Sequence, residues 1–507
     1  MVPPFGAIIG GTVAGISSVT LSPDVSERAA TSRFVATGLT GPLTAAGYVI
    51  LGLLLCGSRF IGLNRSYSSD ELMTVRGYVR TGPYEILVGP YIPNNHELFS
   101  LLGWATSSLF GESEVALRLW SALPFVAGVI VVTAWLHVRL GAPSGLLFLF
   151  LATVSPLLLD ITRQARGYGL AFLAMSVLTI AALEANRSPK TWLVVAFFGA
   201  GLVGTWTLPH FGIAFAATSA VLLTNRDLRR RAAIGVTVSL LAIVAWYGPH
   251  VDDLLESSRQ EYGAPIAAAW VITAPIDQIL MPAMRWIDET LFDPDLGALV
   301  IVAALGLLIG SSPLIRRRDS SLVLSVGVVA TIITLWITRT HVAPRFFSFL
   351  LVPLLILLAS GSAAILTRSA TSHRVGVRTV LAVTTLGLAA LLSAPHMSQV
   401  IRLPRESTGD VAATIRALAP PSAPVFAYVP YPRDIELYLG RPVLRPQTAD
   451  QARQVCQASR DAVLVSQPWI LPLATIPCTQ RRGVRHVRFR QYARGGEMNV
   501  WFIPQAR

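Results

Sequence analysis

Ser66–Glu97 reads SYSSDELMTVRGYVRTGPYEILVGPYIPNNHE, a polar and aromatic segment set between two long apolar runs. It carries the carboxylate pair Asp70-Glu71 near one end and Asn94-Asn95-His96-Glu97 at the other. A chain this apolar ordinarily joins its hydrophobic runs by short, bland turns. A long connection rich in Tyr, Pro and acids reads instead as the floor of an active site at a membrane surface.

Composition sets the class. Of 507 residues, 53% are hydrophobic and only 14% charged, with a mean hydropathy of +0.57. Soluble domains carry roughly 25% charged residues, so the chain reads as a polytopic α-helical membrane protein. The net charge of +13 lies mostly in short loops between apolar runs and in the tail. That distribution follows the positive-inside rule rather than a phosphate-tracking groove, and no nucleic-acid partner is expected. Lys190 is the single lysine; arginine, the better bidentate phosphate ligand, carries the rest.

Apolar runs near 20 residues long span a bilayer core. About eleven are present, at roughly 39–60, 115–137, 142–159, 168–186, 191–209, 211–225, 232–249, 297–313, 320–338, 346–366 and 378–394. Basic clusters at Arg187/Lys190, Arg226/Arg229/Arg230/Arg231, Arg316/Arg317/Arg318 and Arg368/Arg374/Arg378 follow every second span, which assigns those loops to the cytoplasm. The loops 61–114, 160–167, 250–296 and 339–345 and the tail then fall outside. The expected organisation is a cytoplasmic, weakly ordered leader over 1–38 (or a start site assigned too early), a transmembrane region over 39–394, and a small extracytoplasmic α/β domain over 395–507. The protein is expected to sit, multi-pass, in the plasma (inner) membrane.

Local patterns refine this picture. Leu72, Val75 and Val79, and later Leu98, Leu101, Leu102 and Leu109, recur at helical spacing and predict short helices lying on the membrane. Trp270 and Trp286 predict interfacial anchors in the 250–296 loop. In the tail, Val425–Val429, 462–466 and 484–502 read as strands and Arg433–Leu439 as a helix. Of three cysteines, Cys56 falls in the first span; Cys456 and Cys478 lie in the tail, where a bridge and two free thiols are both allowed.

The candidate chemistry is all on the outer side. A carboxylate just beyond the first span suits a general base acting on a hydroxyl, although Ser68-Ser69-Asp70-Glu71 also has the residues of a helix start. Arg163 and Arg166, three apart, would share a helical face and suit a phosphate; snorkelling arginines would use the same residues. Arg118 and Arg345 open two spans on this side and add to a cationic ring. His210 occupies another outer turn. Asp70, Glu71, His96 and Glu97 could hold one divalent cation. Asp293-Pro294-Asp295 reads as a loop-to-helix cap, and P-loop, GxGxxG, HExxH and zinc-spaced Cys/His motifs are absent from the sequence.

The order of these elements, an acid pair, Asn95-His96-x-Leu98-Phe99, Arg118-Leu119-Trp120-Ser121-Ala122-Leu123, Ser155-Pro156, Gln164-Ala165-Arg166-Gly167-Tyr168 and Pro344-Arg345-Phe346, resembles membrane glycosyltransferases of the C-type (GT-C) fold. The similarity is to bacterial relatives of protein O-mannosyltransferases, glycosyltransferase family thirty-nine, over about residues 40–365. The resemblance implies a polyprenyl-phosphate-linked sugar as donor and inversion at the anomeric carbon. The acceptor would be a glycan, glycolipid or protein hydroxyl on the outer face. It makes Asp70 the catalytic base with Glu71 its acidic neighbour, and turns Arg163, Arg166 and Arg345 toward the lipid phosphate; His96, Gln164, Tyr168 and His210 are expected with them among the substrate- and phosphate-binding residues. His96 matches the histidine of a His-Pro element, but Glu97 stands where the family has proline. A non-catalytic polyprenyl-phosphate binder or transporter is the competing reading; transporters put ionisable residues at mid-membrane and carry inverted repeats, whereas these spans are nearly free of acids.

Overall fold

In a computed structural model, residues 41–89, 91–92, 95–253, 305–338, 344–372, 377–429, 432–445, 454–457, 461–467, 477–480, 483–491 and 497–504 are described. The leader 1–38, the anchors Trp270 and Trp286, Asp293-Pro294-Asp295 and most of the 250–296 loop lie outside them. Tyr48–Arg507 forms one compact unit.

Among the described residues, five helices are long and apolar enough to cross a membrane: Pro42–Phe60, Glu114–Leu140, Tyr168–Arg187, Arg229–Asp253 and Arg345–Arg368. Thr191–Thr207 and Phe211–Thr224 are apolar but shorter. Arg318–Thr338 and Val377–Arg402 are helical over two further expected spans. The described residues therefore carry most of the expected segments, without the full count of eleven. The expected span 142–159 is not one helix: Ala142–Val154 and Pro156–Thr162 meet at 66°. Proline disfavours the helical region for the residue before it. Ser155 is accordingly extended (ψ 113°), and its hydroxyl accepts the Leu158 amide at 3.3 Å to start the second piece.

The bundle core packs Glu114–Leu140 against Tyr168–Arg187. Phe125 and Phe172 meet at 4.7 Å between ring centroids. Near the Tyr168 end of that crossing the backbones touch: a Cβ on Gly169 would stand 1.8 Å from the Ser121 carbonyl oxygen. Lipid tails offer no hydrophobic contrast to helix association, so close backbone approach at small residues supplies the contact.

The loop helices are where the expectation fails. The Leu72/Val75/Val79 stripe lies on Ser69–Thr74 and the π-turn Val75–Val79, and it is buried rather than laid on lipid. It packs with Tyr67, Phe99, Leu117, Ala165 and Leu170 into a small core of its own. Helical spacing identifies an apolar face but does not say whether protein or lipid covers it.

The tail folds as expected into a sheet of β1 (Val425–Tyr428), β2 (Ala462–Ser466), β3 (Arg485–Arg490) and β4 (Glu497–Ile503). The strand order is β1-β2-β4-β3, with β1 and β2 parallel and the other pairs antiparallel. Alternate residues separate two cores. Val425, Ala427, Val463, Val465 and Val500 meet the helices Thr408–Leu418 and Pro432–Leu439, while Phe426, Leu464 and Trp501 face Cys478. Cys456 and Cys478 are bridged, 5.4 Å apart at Cα and 22 residues apart in sequence. Closing a loop of that size constrains the unfolded chain by about 3 kcal/mol. Replacing Cys456 by Ser should therefore speed proteolytic cleavage of the tail at least tenfold, an effect reproduced in the unaltered protein by dithiothreitol.

Candidate active site

The site is built around a buried carboxylate. Glu71, in the first turn of Ser69–Thr74, is buried together with Arg118. Arg118 Nε donates to Glu71 Oε1 at 2.8 Å and Nη2 to Oε2 at 2.9 Å. The remaining acceptor positions of Glu71 are taken by the Ser68 amide (2.8 Å), the Ser68 hydroxyl (3.0 Å) and the Ala165 amide (2.6 Å). Arg118 spends its other protons on the carbonyls of Leu63, Arg65 and Ser66, at 2.8, 2.6 and 3.0 Å. Burial pushes the Glu71 carboxyl up, but the charge and hydrogen bonds of Arg118, with the Ser68 and Ala165 amides, outweigh it and hold it below the ordinary carboxylate range. Expected as an acidic partner in catalysis and as part of a cationic ring, Glu71 and Arg118 instead neutralise each other and pin residues 63–71 to residue 165.

Asp70, one position earlier on the same helix turn, points the other way. Its Oδ2 lies 2.9 Å from Arg345 Nη2 and 3.5 Å from Arg166 Nη1. The second distance is close for charge but too long for a hydrogen bond, so among the described residues the buried Arg166 Nη1 has no hydrogen-bond partner, and neither has Arg345 Nε. Arg166 is held by His96, whose Nε2 receives Arg166 Nη2 at 2.8 Å and Nε at 3.2 Å. A guanidinium only donates, so Nε2 is an acceptor and His96 is not an imidazolium; the Gly167 amide approaches its Nδ1 at 3.3 Å. Burial, and then the nearby charges of Arg166 and Arg345, keep it well below the usual histidine range. Gly167 permits the approach: a Cβ there would stand 2.4 Å from Thr207 Cγ2 and 3.0 Å from His96 Nδ1.

Phe346 forms the apolar side of the hollow. Its ring is 6.2 Å from His96, 6.2 Å from Tyr168 and 6.0 Å from His210, with the Arg166 and Arg345 guanidinium carbons each 5.8 Å away. Burial drops His210 to about 4, so it too is neutral, and its Nδ1 has no hydrogen-bond partner. Asp70, His96, Arg166, Tyr168, His210 and Arg345 are thus brought together from five separate segments.

Arg163 and Gln164 go elsewhere. The helix Pro156–Thr162 stops at Thr162 and the next begins at Tyr168, so Arg163 and Arg166 share no helical face. Arg163 donates to the Val400 carbonyl at 2.8 Å and to the Ile61 carbonyl. Gln164 Nε2 lies 3.2 Å from Asp160 Oδ1, and Asp160 pairs with Arg405. These contacts belong to a seam that sequence reasoning missed, in which the segment after the last span clamps the loop. Arg65 caps the end of Val377–Arg402 through the carbonyls of Ile401 and Leu403, at 2.5 and 2.6 Å. Glu406 accepts the Ser69 amide at 3.0 Å and its hydroxyl at 3.2 Å, and the Tyr438 hydroxyl accepts the Tyr67 amide at 2.6 Å. The available signal was the pair Arg405-Glu406 directly after a span.

Glu97 begins the helix Glu97–Phe110 and accepts the indole N–H of Trp246, which packs edge-on to Trp206 at 4.6 Å. Burial raises its carboxyl to about 7, against the pull of the two indoles. The acids proposed for a cation do not fit one: Glu71 is spent on Arg118, Asp70 faces arginines, and among the described residues no group of three His, Cys, Asp or Glu side chains could hold a metal.

Two outcomes test this geometry. Glu71→Gln leaves Arg118 charged and uncompensated in the interior, which costs about 3–5 kcal/mol; a clear fall in unfolding temperature is expected while Asp70→Asn leaves it nearly unchanged. Glu97 binds a proton in the fold at pH values where the unfolded chain has released it, so stability falls as pH rises from about 4.5 through 7. Glu97→Gln should flatten that decline, by at most about 3 kcal/mol, in unfolding temperatures measured from pH 5 to 8.

No protein-family model and no curated protein sequence matches the chain. Among solved structures it is similar to ArnT from Cupriavidus metallidurans in the apo state, at 15% identity and a TM-score of 0.51, over 93% of this chain and 98% of that one. The same protein bound to undecaprenyl phosphate gives 14%, 0.50, 90% and 97%. The apo oligosaccharyltransferase of Archaeoglobus fulgidus gives 13% and 0.51, over 85% of this chain and 70% of that one. Similarity at such low identity over nearly the whole length is similarity of fold, and the chain has the GT-C fold of membrane glycosyltransferases.

Proposed function

We propose that the protein is an inverting glycosyltransferase that moves a sugar from a polyprenyl-phosphate donor to a hydroxyl acceptor at the outer face of the plasma membrane. The observation that carries this reading is Asp70 set against Arg166 and Arg345, two guanidiniums with buried N–H groups still unspent. With both histidines neutral, the hollow holds two positive charges and one negative. The net single positive charge matches the single negative charge of a lipid–sugar phosphodiester. ArnT, which shares the fold, has been solved with undecaprenyl phosphate bound, and that supports a polyprenyl phosphate as the carrier here.

The chemistry follows from those groups. Arg166 and Arg345 would turn from Asp70 to the phosphate oxygens when the donor enters, and stabilise the charge that grows there as the bond from the anomeric carbon to phosphate oxygen breaks. Relieved of that pairing, Asp70 accepts the proton of the acceptor hydroxyl while its oxygen bonds to the anomeric carbon from the opposite face. One displacement inverts the centre. His96 orients Arg166 toward the donor, and the polyprenyl chain runs along the 346–366 span. Arg163 serves the same site from behind, by holding residue 61 to residue 400. The Cys456–Cys478 bridge supports an extracytoplasmic tail, since disulfides persist in oxidising compartments. The basic clusters near Arg187 and Arg316–Arg318 support a cytoplasmic opposite face.

Asp70→Asn tests the assignment. The variant should insert, fold and retain the donor lipid, while transfer from a polyprenyl-phosphate sugar drops about 10²–10⁴-fold. Turnover equal to that of the unaltered protein would remove Asp70 as the base. Equal donor retention with no transfer by either protein, over a panel of hydroxyl acceptors, would favour a lipid-binding role.

A further inference from the structure

One cavity lies away from Asp70. It measures about 250 Å³ and is lined by Arg139, Leu140, Arg187, Pro313, Leu314 and Arg317. Two helices place it. Arg118 and Arg139 lie near opposite ends of Glu114–Leu140, and Tyr168 and Arg187 at opposite ends of Tyr168–Arg187. At 1.5 Å per residue each pair is separated by about 30 Å along its helix, which is the thickness of a bilayer's hydrocarbon core. The cavity therefore opens at the membrane face opposite the Asp70 hollow.

Its chemistry is that of an anion site. The lining carries three guanidiniums and no carboxylate. One acid, Glu184, lies behind it and gathers two of them: its Oε1 accepts Arg139 Nε at 2.9 Å, Arg187 Nη1 at 3.1 Å and the Trp135 indole at 2.8 Å, while Arg139 Nη2 reaches Oε2. Three positive charges against one negative leave two in excess. Positive-inside topogenesis accounts for arginines at this face, but it favours charges dispersed into water and headgroups, not convergent ones held by a shared carboxylate. The opposing wall is fixed as well. Leu314 is buried, and its amide donates at 3.2 Å to Ser312 Oγ, which is itself 2.6 Å from Ser360 Oγ. Arg139 and Arg187 keep 45% and 26% of their side-chain surface exposed, so their remaining N–H groups are reachable. Leu140, Pro313 and Leu314 add an apolar rim beside the charges.

We propose that this cavity binds a phosphate group at the membrane face opposite the Asp70 site, through Arg139, Arg187 and Arg317. Basic pockets between spans on the cytoplasmic side hold anionic lipid headgroups in this manner, and a soluble phosphate would satisfy the same guanidiniums. The site stands whether or not the protein is a transferase, because none of its residues belongs to the Asp70 hollow.

The full chain is placed in nanodiscs of phosphatidylcholine with one-fifth phosphatidylglycerol, and co-retained lipid is measured by native mass spectrometry. A parallel arm in neutral detergent follows unfolding temperature against inorganic phosphate, with chloride at equal ionic strength as control. Arg317→Gln is the test variant, since Arg317 makes no contact with Glu184 that its loss would expose; Arg187→Gln is the second. Selective retention of phosphatidylglycerol that falls at least fivefold in Arg317→Gln supports a lipid headgroup. A phosphate-dependent rise in unfolding temperature, absent in the variant and without lipid selectivity, supports a soluble phosphate. Retention and phosphate response equal in the unaltered protein and both variants would overturn the proposal.

Discussion

Arg118 and Glu71 meet through two nitrogen–oxygen contacts, of 2.8 and 2.9 Å, and both side chains are buried. Removing two charges from water is expensive, and such a pair is retained only when every other donor and acceptor is also answered. Here they are. Arg118 takes three carbonyls of the turn that leads into the loop, and Glu71 takes an amide from the turn after Pro156–Thr162. The pair is therefore less a source of stability than a registration device. It sets where Asp70 stands, because Asp70 is the neighbouring residue on the same short helix, and where Arg166 stands, because Ala165 is its neighbour.

This division of labour between adjacent acids has a simple geometric cause. Successive residues on a helix project about 100° apart, so one carboxylate of the pair faces inward and the other faces the hollow. The inward one is neutralised in the protein; the outward one meets Arg166 and Arg345 across an opening. Arginines divide in the same way. Arg65 and Arg163 turn their terminal nitrogens to helix-end and loop carbonyls, at Val400, Ile401, Leu403 and Ile61. Arg166 keeps one buried N–H unspent. Residue type does not distinguish the two uses; whether the guanidinium meets backbone carbonyls or the Asp70 carboxylate does.

The tail participates in the site through what it holds rather than what it presents. Glu406 caps the very turn that carries Asp70, and Tyr438 accepts the amide just before it. A domain that composition would treat as an appendage thus closes the loop from the outside, while Phe99, Leu117 and Leu170 close it from within. At the far ends of the same two helices, Glu184 gathers Arg139 and Arg187, so the bundle carries an arginine–carboxylate cluster at each face.

Much of this was legible in the residues themselves. Hydropathy marked most of the helices because a bilayer demands long apolar runs, and alternation marked the tail strands; of the nine residues expected at one polar site, Asp70, His96, Arg166, Tyr168, His210 and Arg345 lie together, whereas Glu71, Arg163 and Gln164 turn to other partners. Other features were not local properties. Whether the Leu72/Val75/Val79 stripe meets lipid or protein, whether Arg163 faces a ligand or a carbonyl, and which of Asp70 and Glu71 is free all depend on partners up to hundreds of residues away. A sequence records which groups must be satisfied; only the packed chain decides what satisfies them, because a buried charge accepts whichever partners the fold brings within three ångströms.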